Sequence, residues 1–286
     1  RLLSEDEVNA RRLPLLPDPP ANYDYRAALR ARVNLDNALK LDADTLDGGW
    51  SGGAPEGYRP WAGSWWPLAD AELVFGYDGR PTYSQLIKPI IEPTKRDLDR
   101  LSEELRDLDR SSAAYEEKSR EYKTKQDELV TKLVAFYNGM LSAVNGGHAR
   151  IENGRLVHDA RGTAGTDEVA NIFTRSWSYE LNKLSPFDKF ALQQWADGKT
   201  NPNPFFAGAW EILNQWNPGG GSWWGHCNAW AAAAILTDEP REAVTTSLKG
   251  QTVQWTTADQ KGLITEVHYS VNSSFYGQRY NSDKED

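Results

Sequence analysis

The feature that most constrains the fold is a series of apolar residues spaced by three, four and seven positions within residues 93–144. This spacing places the apolar side chains along one face of a helix, as in a coiled-coil seam. The series comprises Leu98, Leu101, Leu105, Leu108, Tyr115, Tyr122, Leu129, Leu133, Phe136 and Met140. Its middle is weak, because Ser112, Ser119 and Gln126 occupy positions where apolar residues are expected. The pattern predicts a helical arm, either one long helix or, as we favour, an antiparallel hairpin turning near residues 111–114.

The composition argues against several classes of protein. The chain of 286 residues carries a formal net charge of -9, which disfavours nucleic acid and anionic membrane surfaces as main partners. The mean hydropathy is -0.67, and the longest apolar run, residues 229–236, is far too short for a membrane span. Four scattered histidines and one cysteine lack the spacing of a metal site, and the acidic residues form no calcium-loop pattern. We therefore predict no metal and no cofactor.

The first 59 residues differ in character from the rest of the chain. Four prolines between residues 14 and 20 break early structure, a helix is expected over residues 25–41, and residues 48–60 are rich in turn formers. We interpret residues 1–59 as an N-terminal arm that could act as a pro-segment. Residues 60–286 then form the compact region, into which the helical arm of about 93–144 is inserted.

Several shorter signals predict local structure within the compact region. Asn153-Gly154 predicts a β-hairpin, and Ser185 is expected to cap a helix that begins at Pro186. Residues 244–255 contain β-rich stretches, and residues 263–271 alternate well enough to predict a strand.

Cys227 is the single cysteine of the chain, so it cannot form an internal disulfide. Glycines 219–221 precede it and alanines 231–234 follow, which predicts a junction between a loop and a helix. The positive end of a helix favours a thiolate, so a cysteine at its first turn is a candidate nucleophile. The alternative is a buried cysteine that packs as a small hydrophobe among the neighbouring tryptophans. The tryptophans themselves could fill a core or line a cleft.

Five segments together resemble a known family. They are residues 60–67 (Pro-Trp-Ala-Gly-Ser-Trp-Trp-Pro), 184–190 (Leu-Ser-Pro-Phe-Asp-Lys-Phe), 210–214, 223–231 around the cysteine, and 276–281. They resemble the transglutaminase elicitor family, which comprises secreted transglutaminases of oomycete plant pathogens and bacterial relatives. The resemblance implies an α+β chain with a papain-like thiol fold, helix-rich toward the N-terminus.

The resemblance also implies a function and a set of site residues. Cys227 would attack a glutamine side chain to form a thioester, and a lysine would resolve the thioester into an isopeptide cross-link. His268 is the candidate base, oriented by Asp283 or Asp286, whereas His226 adjoins the cysteine and is expected to point elsewhere. The resemblance also leaves open that the base is a histidine beyond residue 286. The residues expected to bind substrate are Trp223, Trp224 and Trp230. Trp224 could also supply a donor to the oxyanion.

Other functions remain open at this point. A cysteine protease or a glutamine deamidase would share the fold and the thioester, and a secreted interaction protein would need neither. Protein substrates bearing glutamine and lysine are the expected partners, in a secreted or extracytoplasmic location. Because only one or two strands are expected after the cysteine helix, we also expect a piece of a longer polypeptide. A C-terminal fragment of that polypeptide, carrying the remaining strands, would then be a further partner.

Overall fold

The computed structural model describes residues 61–64, 66–221 and 224–269, apart from the side chains of residues 235 and 236. The predicted N-terminal arm and its helix lie outside these residues, as do Trp223, Asp283 and Asp286. The described α-helices are α1 (Glu72–Phe75), α2 (Lys88–Asp107), α3 (Ala113–Asn145), α4 (Pro186–Ala196), α5 (Phe206–Asn214), α6 (Cys227–Leu236) and α7 (Thr257–Tyr269). The strands are β1 (Ala149–Glu152), β2 (Arg155–His158), β3 (Trp177–Glu180), β4 (Val244–Leu248) and β5 (Gln251–Trp255). This mixture of helices with small antiparallel sheets is compatible with the predicted α+β class.

The apolar seam forms a hairpin of two long helices, α2 and α3. Lys118 pairs with Glu104 at 2.7 Å and Lys125 pairs with Asp97 at 3.5 Å, so the two helices run antiparallel. Of the two arrangements that the seam allows, the structure therefore has the packed hairpin.

The weak middle of the seam corresponds to the tip of the hairpin. Ser112 caps α3, where its hydroxyl accepts a hydrogen bond from the N–H of Tyr115 at 3.1 Å. The buried seam residues lie toward the base of the hairpin; they are Leu98, Leu101, Leu129, Leu133, Phe136 and Met140. Seam residues near the tip are only half-buried. The sequence is most apolar where the rest of the protein covers it.

Two antiparallel sheets carry tight turns. β1, β2 and β3 are neighbours in that order, and β4 pairs with β5. Asn153 (φ 49°) and Gly154 (φ 71°) connect β1 to β2, while Lys249 (φ 49°) and Gly250 (φ 79°) connect β4 to β5. Positive φ at both central residues is the geometry of a type I′ hairpin turn. The predicted hairpin at residues 153–154 is confirmed.

The strand predicted over residues 263–271 is wrong in its described part, because residues 263–269 belong to helix α7. Thr256 and Asp259 exchange hydrogen bonds between side chain and backbone, at 2.8 and 3.1 Å. A threonine followed three residues later by an acidic residue is a capping-box pattern, and this local signal outweighs the short alternation. The buried residues Asp259, Gly262 and Thr265 then recur at a helical spacing.

The main apolar core lies where the base of the hairpin meets α1, α4, α5 and the three-stranded sheet. A smaller cluster of Trp61, Ala233 and Ala234, with Trp230 and Ile264 against it, joins α6 to α7. Within the described part of the chain, no helix is both long enough and apolar enough to cross a membrane.

Candidate functional site

Cys227 is the first residue of α6 and its side chain is exposed. The sequence prediction of a loop-to-helix junction at this residue is therefore confirmed. Exposure argues against the alternative of a thiol packed in a core. The first turn of a helix carries free N–H groups, which favour negative charge nearby.

The loop before Cys227 is held by the segment that follows Trp66. Pro67 and Gly225 form an antiparallel bridge, and the N–H of Leu68 donates to the carbonyl of Trp224 at 3.0 Å. The carbonyl of Leu68 in turn accepts from the N–H of Asn217 at 2.9 Å. Two segments far apart in sequence, both quoted above for their family resemblance, thus position the cysteine loop together.

Helices α6 and α7 pack antiparallel. At one end Lys261 of α7 donates to Glu239, just beyond α6, at 2.9 Å. At the other end the ring of Tyr269 lies 5.1 Å from the ring of His226, which directly precedes α6. The last turn of α7 therefore lies at the same end of the helix pair as Cys227.

His268 belongs to that last turn of α7, half-buried, with its Nδ1 2.8 Å from the carbonyl oxygen of Ile264. The structure places the candidate base at the Cys227 end of the helix pair, on a helix rather than on the predicted strand. Among the described residues, no hydrogen bond joins its ring to the thiol. Its role as the base stays a prediction, as does the role of Asp283.

The predicted substrate-binding tryptophans have different surroundings. Trp230 is half-buried against Trp61. Its indole nitrogen lies 3.0 Å from the position that a Cβ atom at Gly63 would occupy. Trp224 is half-buried in the cysteine loop. Trp61, Trp66 and Trp216 are buried, so these three tryptophans serve the core.

His226 points away from Cys227 into the protein, as expected from its position next to the cysteine. Its Nδ1 lies 2.8 Å from the carbonyl oxygen of Trp66. Its Nε2 lies 3.2 Å from Oε1 of Glu211 on α5 and 2.9 Å from Oε1 of Glu266 on α7. We call these three residues (Glu211, His226 and Glu266) the His226 cluster. All three side chains are more than nine-tenths buried.

The His226 cluster is close in distance but poorly hydrogen-bonded. Nε2 of His226, both carboxylate oxygens of Glu211 and Oε1 of Glu266 have no partner of hydrogen-bond geometry among the described residues. Burial disfavours the charged imidazole, but the two carboxylates outweigh it and raise the pKa of His226 to about 10. Burial, with a smaller contribution from Glu266, raises the pKa of Glu211 to about 7. The three groups perturb one another strongly without completing a hydrogen-bond network.

A second cluster, the Asp259 cluster, is centred on the buried side chains of Lys189 and Asp259, and also includes Tyr77, Thr256 and the backbone carbonyl of Gln254. Nζ of Lys189 lies 2.7 Å from Asp259 and donates to the carbonyl of Gln254 at 2.9 Å. Asp259 also accepts from the hydroxyl of Tyr77 and from the N–H of Thr256. Burial lowers the pKa of Lys189, against the opposing effect of Asp259.

The segment at residues 184–190, one of the five that carry the family resemblance, anchors helix α4. Its Asp188 accepts from the hydroxyls of Thr82 and Ser84 and from the N–H of Ser84, while its Lys189 joins the Asp259 cluster. Ser185 caps α4 as predicted, because its hydroxyl accepts from the N–H of Asp188 at 3.2 Å. These contacts tether α4, and none of them involves Cys227.

Sequence reasoning missed Glu211 and Glu266 altogether. The signal for Glu211 was its place in an otherwise apolar helix, where it is fully buried between Ala209 and Ile212. Glu266 carried no comparable signal, because it was assigned to the alternating strand that proved to be α7.

Comparison with known proteins bears on the region of the thiol. No curated protein and no solved structure matches the chain significantly. Residues 219–286 match a family model described as Transglutaminase elicitor. The matched segment contains Cys227, His226 and the whole of α6 and α7, whereas the segments at 60–67 and 184–190 lie outside it. This match confirms, for residues 219–286, the resemblance to the transglutaminase elicitor family that was found in the sequence.

Proposed function

We propose that this protein is an acyltransferase that joins glutamine to lysine side chains through a thioester on Cys227. The observation that carries the proposal is the exposed thiol at the first residue of α6, inside the segment that matches the transglutaminase elicitor family. The loop that leads to this thiol is hydrogen-bonded to a distant segment of the chain. Such support suits a nucleophile, which must be held in position for attack.

The reaction would proceed in two balanced steps. The thiolate of Cys227 bonds to the carboxamide carbon of a glutamine, the C–N bond breaks, and ammonia leaves with a proton from the base. A lysine amine then attacks the thioester carbon, gives a proton back to the base and expels the thiolate. Backbone N–H groups at the start of α6 would face the developing oxyanion.

His268 is our candidate for the base, with Asp283 to orient it. The support for His268 is its place in the last turn of α7, beside the start of α6. An imidazole can give a proton in one step and take it back in the next, as the reaction requires. Trp224 and the neighbouring Trp223 are the candidates for contact with the substrate chain.

The wider proposal concerns architecture and location. We propose that α6 and α7 belong to a papain-like thiol fold, that residues 1–59 cover the site until they are removed, and that the protein acts outside the cell. Its substrates would be proteins with accessible glutamine and lysine.

The test is incorporation of a labelled primary amine into a glutamine-containing peptide, followed by mass spectrometry. We expect the label with the native protein and none with Cys227→Ala. Conversion of glutamine to glutamate, or cleavage of the peptide, would instead identify the deamidase or protease alternative. Absence of any cysteine-dependent product, with residues 1–59 present or removed, would contradict the proposal.

Matched variants test the base. His268→Ala should lower the rate by at least about 100-fold, in the range of general-base catalysis. His148→Ala, a change at a loop histidine remote from α6, should leave the rate unchanged. Full activity of the His268 variant would place the base elsewhere. If His268 is the base, a comparison of Asp283→Asn with Asp286→Asn shows which aspartate, if either, orients it.

A further inference from the structure

The His226 cluster consists of three potential metal ligands brought together by three different helices. Glu211 comes from α5, His226 immediately precedes α6, and Glu266 comes from α7. One ligand atom from each residue lies within 4.8 Å of the other two. Such convergence of buried charged groups is costly unless something neutralises them.

The unmet hydrogen bonds of this cluster point to a ligand. Side-chain atoms of all three residues are buried without a partner of hydrogen-bond geometry among the described residues. By contrast, the carboxylate of Asp259, equally buried and on the same helix, has its partners. A charged group that is this deeply buried normally has hydrogen bonds or coordinates a metal.

The distances from Nε2 of His226 to the two carboxylates also fit a shared metal ion. Two atoms held at about 2.1 Å from one ion stand roughly 2.9 to 3.5 Å apart, depending on the angle between the bonds. Nε2 of His226 lies 2.9 Å from Glu266 and 3.2 Å from Glu211. Atoms that share a metal lie off one another's lone-pair axes, which explains close contacts without hydrogen-bond geometry.

The histidine is also oriented for coordination. When Nδ1 carries the proton, it donates to the carbonyl of Trp66 at 2.8 Å, which leaves the lone pair of Nε2 facing the two carboxylates. A ring nitrogen that donates to a backbone carbonyl is the common support of a metal-bound histidine. The neutral ring and two carboxylates together carry two negative charges, which one divalent cation balances.

We propose that Glu211, His226 and Glu266 bind one divalent transition-metal ion of the zinc class. One imidazole nitrogen with two carboxylate oxygens is a donor set for Zn²⁺, whereas Ca²⁺ takes six to eight oxygen ligands. The ion ties α5 and α7 to the start of α6, and so positions the residue before Cys227. This site is independent of the reaction proposed for the thiol.

The test uses the full chain with Cys227→Ala, so that the exposed thiol cannot bind the metal. After treatment with a chelator, the protein is titrated with ZnCl₂ by calorimetry and with CoCl₂ by visible absorption. We expect one ion per chain and a higher melting temperature with Zn²⁺ than with chelator. Mg²⁺ and Ca²⁺ should bind more weakly.

Two variants in this background localise the site. Glu266→Gln and Glu211→Gln keep the shape of the side chain and should each weaken Zn²⁺ binding by at least about 100-fold. His158→Asn is the matched control, because His158 is also buried with Nδ1 facing a backbone carbonyl, that of Arg175, and should retain Zn²⁺ binding. Melting curves in chelator show whether each variant folds. If one glutamate variant fails to fold, the other still tests the site.

Three results would overturn the proposal. They are the absence of Zn²⁺ and Co²⁺ binding, binding that survives both glutamate substitutions, and tighter binding of Ca²⁺ or Mg²⁺ than of Zn²⁺. The first result would identify the cluster as an imidazolium between two carboxylates, with no bound ion.

Discussion

Helix α7 contributes a carboxylate to each of two buried clusters, and these differ in how fully they are satisfied. Asp259, in the first turn, has a lysine, a tyrosine and a backbone N–H as partners. Glu266, near the last turn, lies beside His226 without hydrogen-bond geometry at its Oε1. A satisfied buried network specifies structure, whereas an unsatisfied one calls for a ligand. The unsatisfied cluster adjoins the thiol.

The largest effect is expected from Asp259→Ala. Removing this carboxylate leaves the ammonium of Lys189 buried and without its counter-charge, which should lower the free energy of unfolding by about 3 to 5 kcal/mol. Chemical denaturation at neutral pH measures the change. As a control, Asp127→Ala removes an exposed partner of Lys123 and should cause no measurable change. A loss below about 1 kcal/mol for Asp259→Ala would show that the satisfied cluster is not structurally essential.

A smaller effect, dependent on pH, is expected at Asp188. Burial, against the hydrogen bonds from Ser84 and Thr82, raises the pKa of Asp188 from 3.8 to about 7. The folded state therefore holds this proton more tightly than the unfolded state. The resulting stability is fully present below pH 3.8 and is lost as the pH rises to about 7.

Asp188→Asn should abolish this part of the pH dependence. We expect the free energy of unfolding of the native protein to fall by about 3 kcal/mol more than that of the variant between pH 4 and pH 7. Denaturation curves at several pH values measure both slopes, and their difference isolates Asp188. Parallel slopes would mean that the three hydrogen bonds from Thr82 and Ser84 keep the carboxylate charged.

Ser185→Ala should have a moderate effect. The hydroxyl of Ser185 satisfies the N–H of Asp188 at the start of α4, and loss of such a cap costs about 1 kcal/mol. Thermal and chemical denaturation measure it, with Ser185→Thr as the control that keeps the acceptor. An unchanged stability of Ser185→Ala would indicate that water replaces the cap.

The smallest effect on stability is expected from Glu211→Gln without metal. Because burial raises the pKa of Glu211 and neither of its oxygens makes a geometric hydrogen bond within the described residues, replacing it with neutral glutamine should lower the free energy of unfolding by less than about 1 kcal/mol. Denaturation in chelator measures this change, and Asp259→Asn provides the comparison in the satisfied cluster. A loss as large as that of Asp259→Ala would remove the distinction between the two clusters.

Local signals in the sequence predicted much of the fold correctly. The heptad series, the Asn153-Gly154 turn, the cap at Ser185 and the helix at Cys227 all depend on residues near one another along the chain. Helix α7 was predicted wrongly because the prediction rested on the alternation at residues 263–271, and the capping pair of Thr256 and Asp259 was missed.

The sequence by itself determined the helical arm, the loop-to-helix junction at Cys227 and the family resemblance, since each is encoded in short-range spacing and residue type. Only the tertiary structure decided which distant groups meet. It brought Glu211, His226 and Glu266 together from three helices, and it placed Lys189 against Asp259. The physical reason is that helix packing sets these contacts, and packing depends on the shape of the whole core rather than on any one segment.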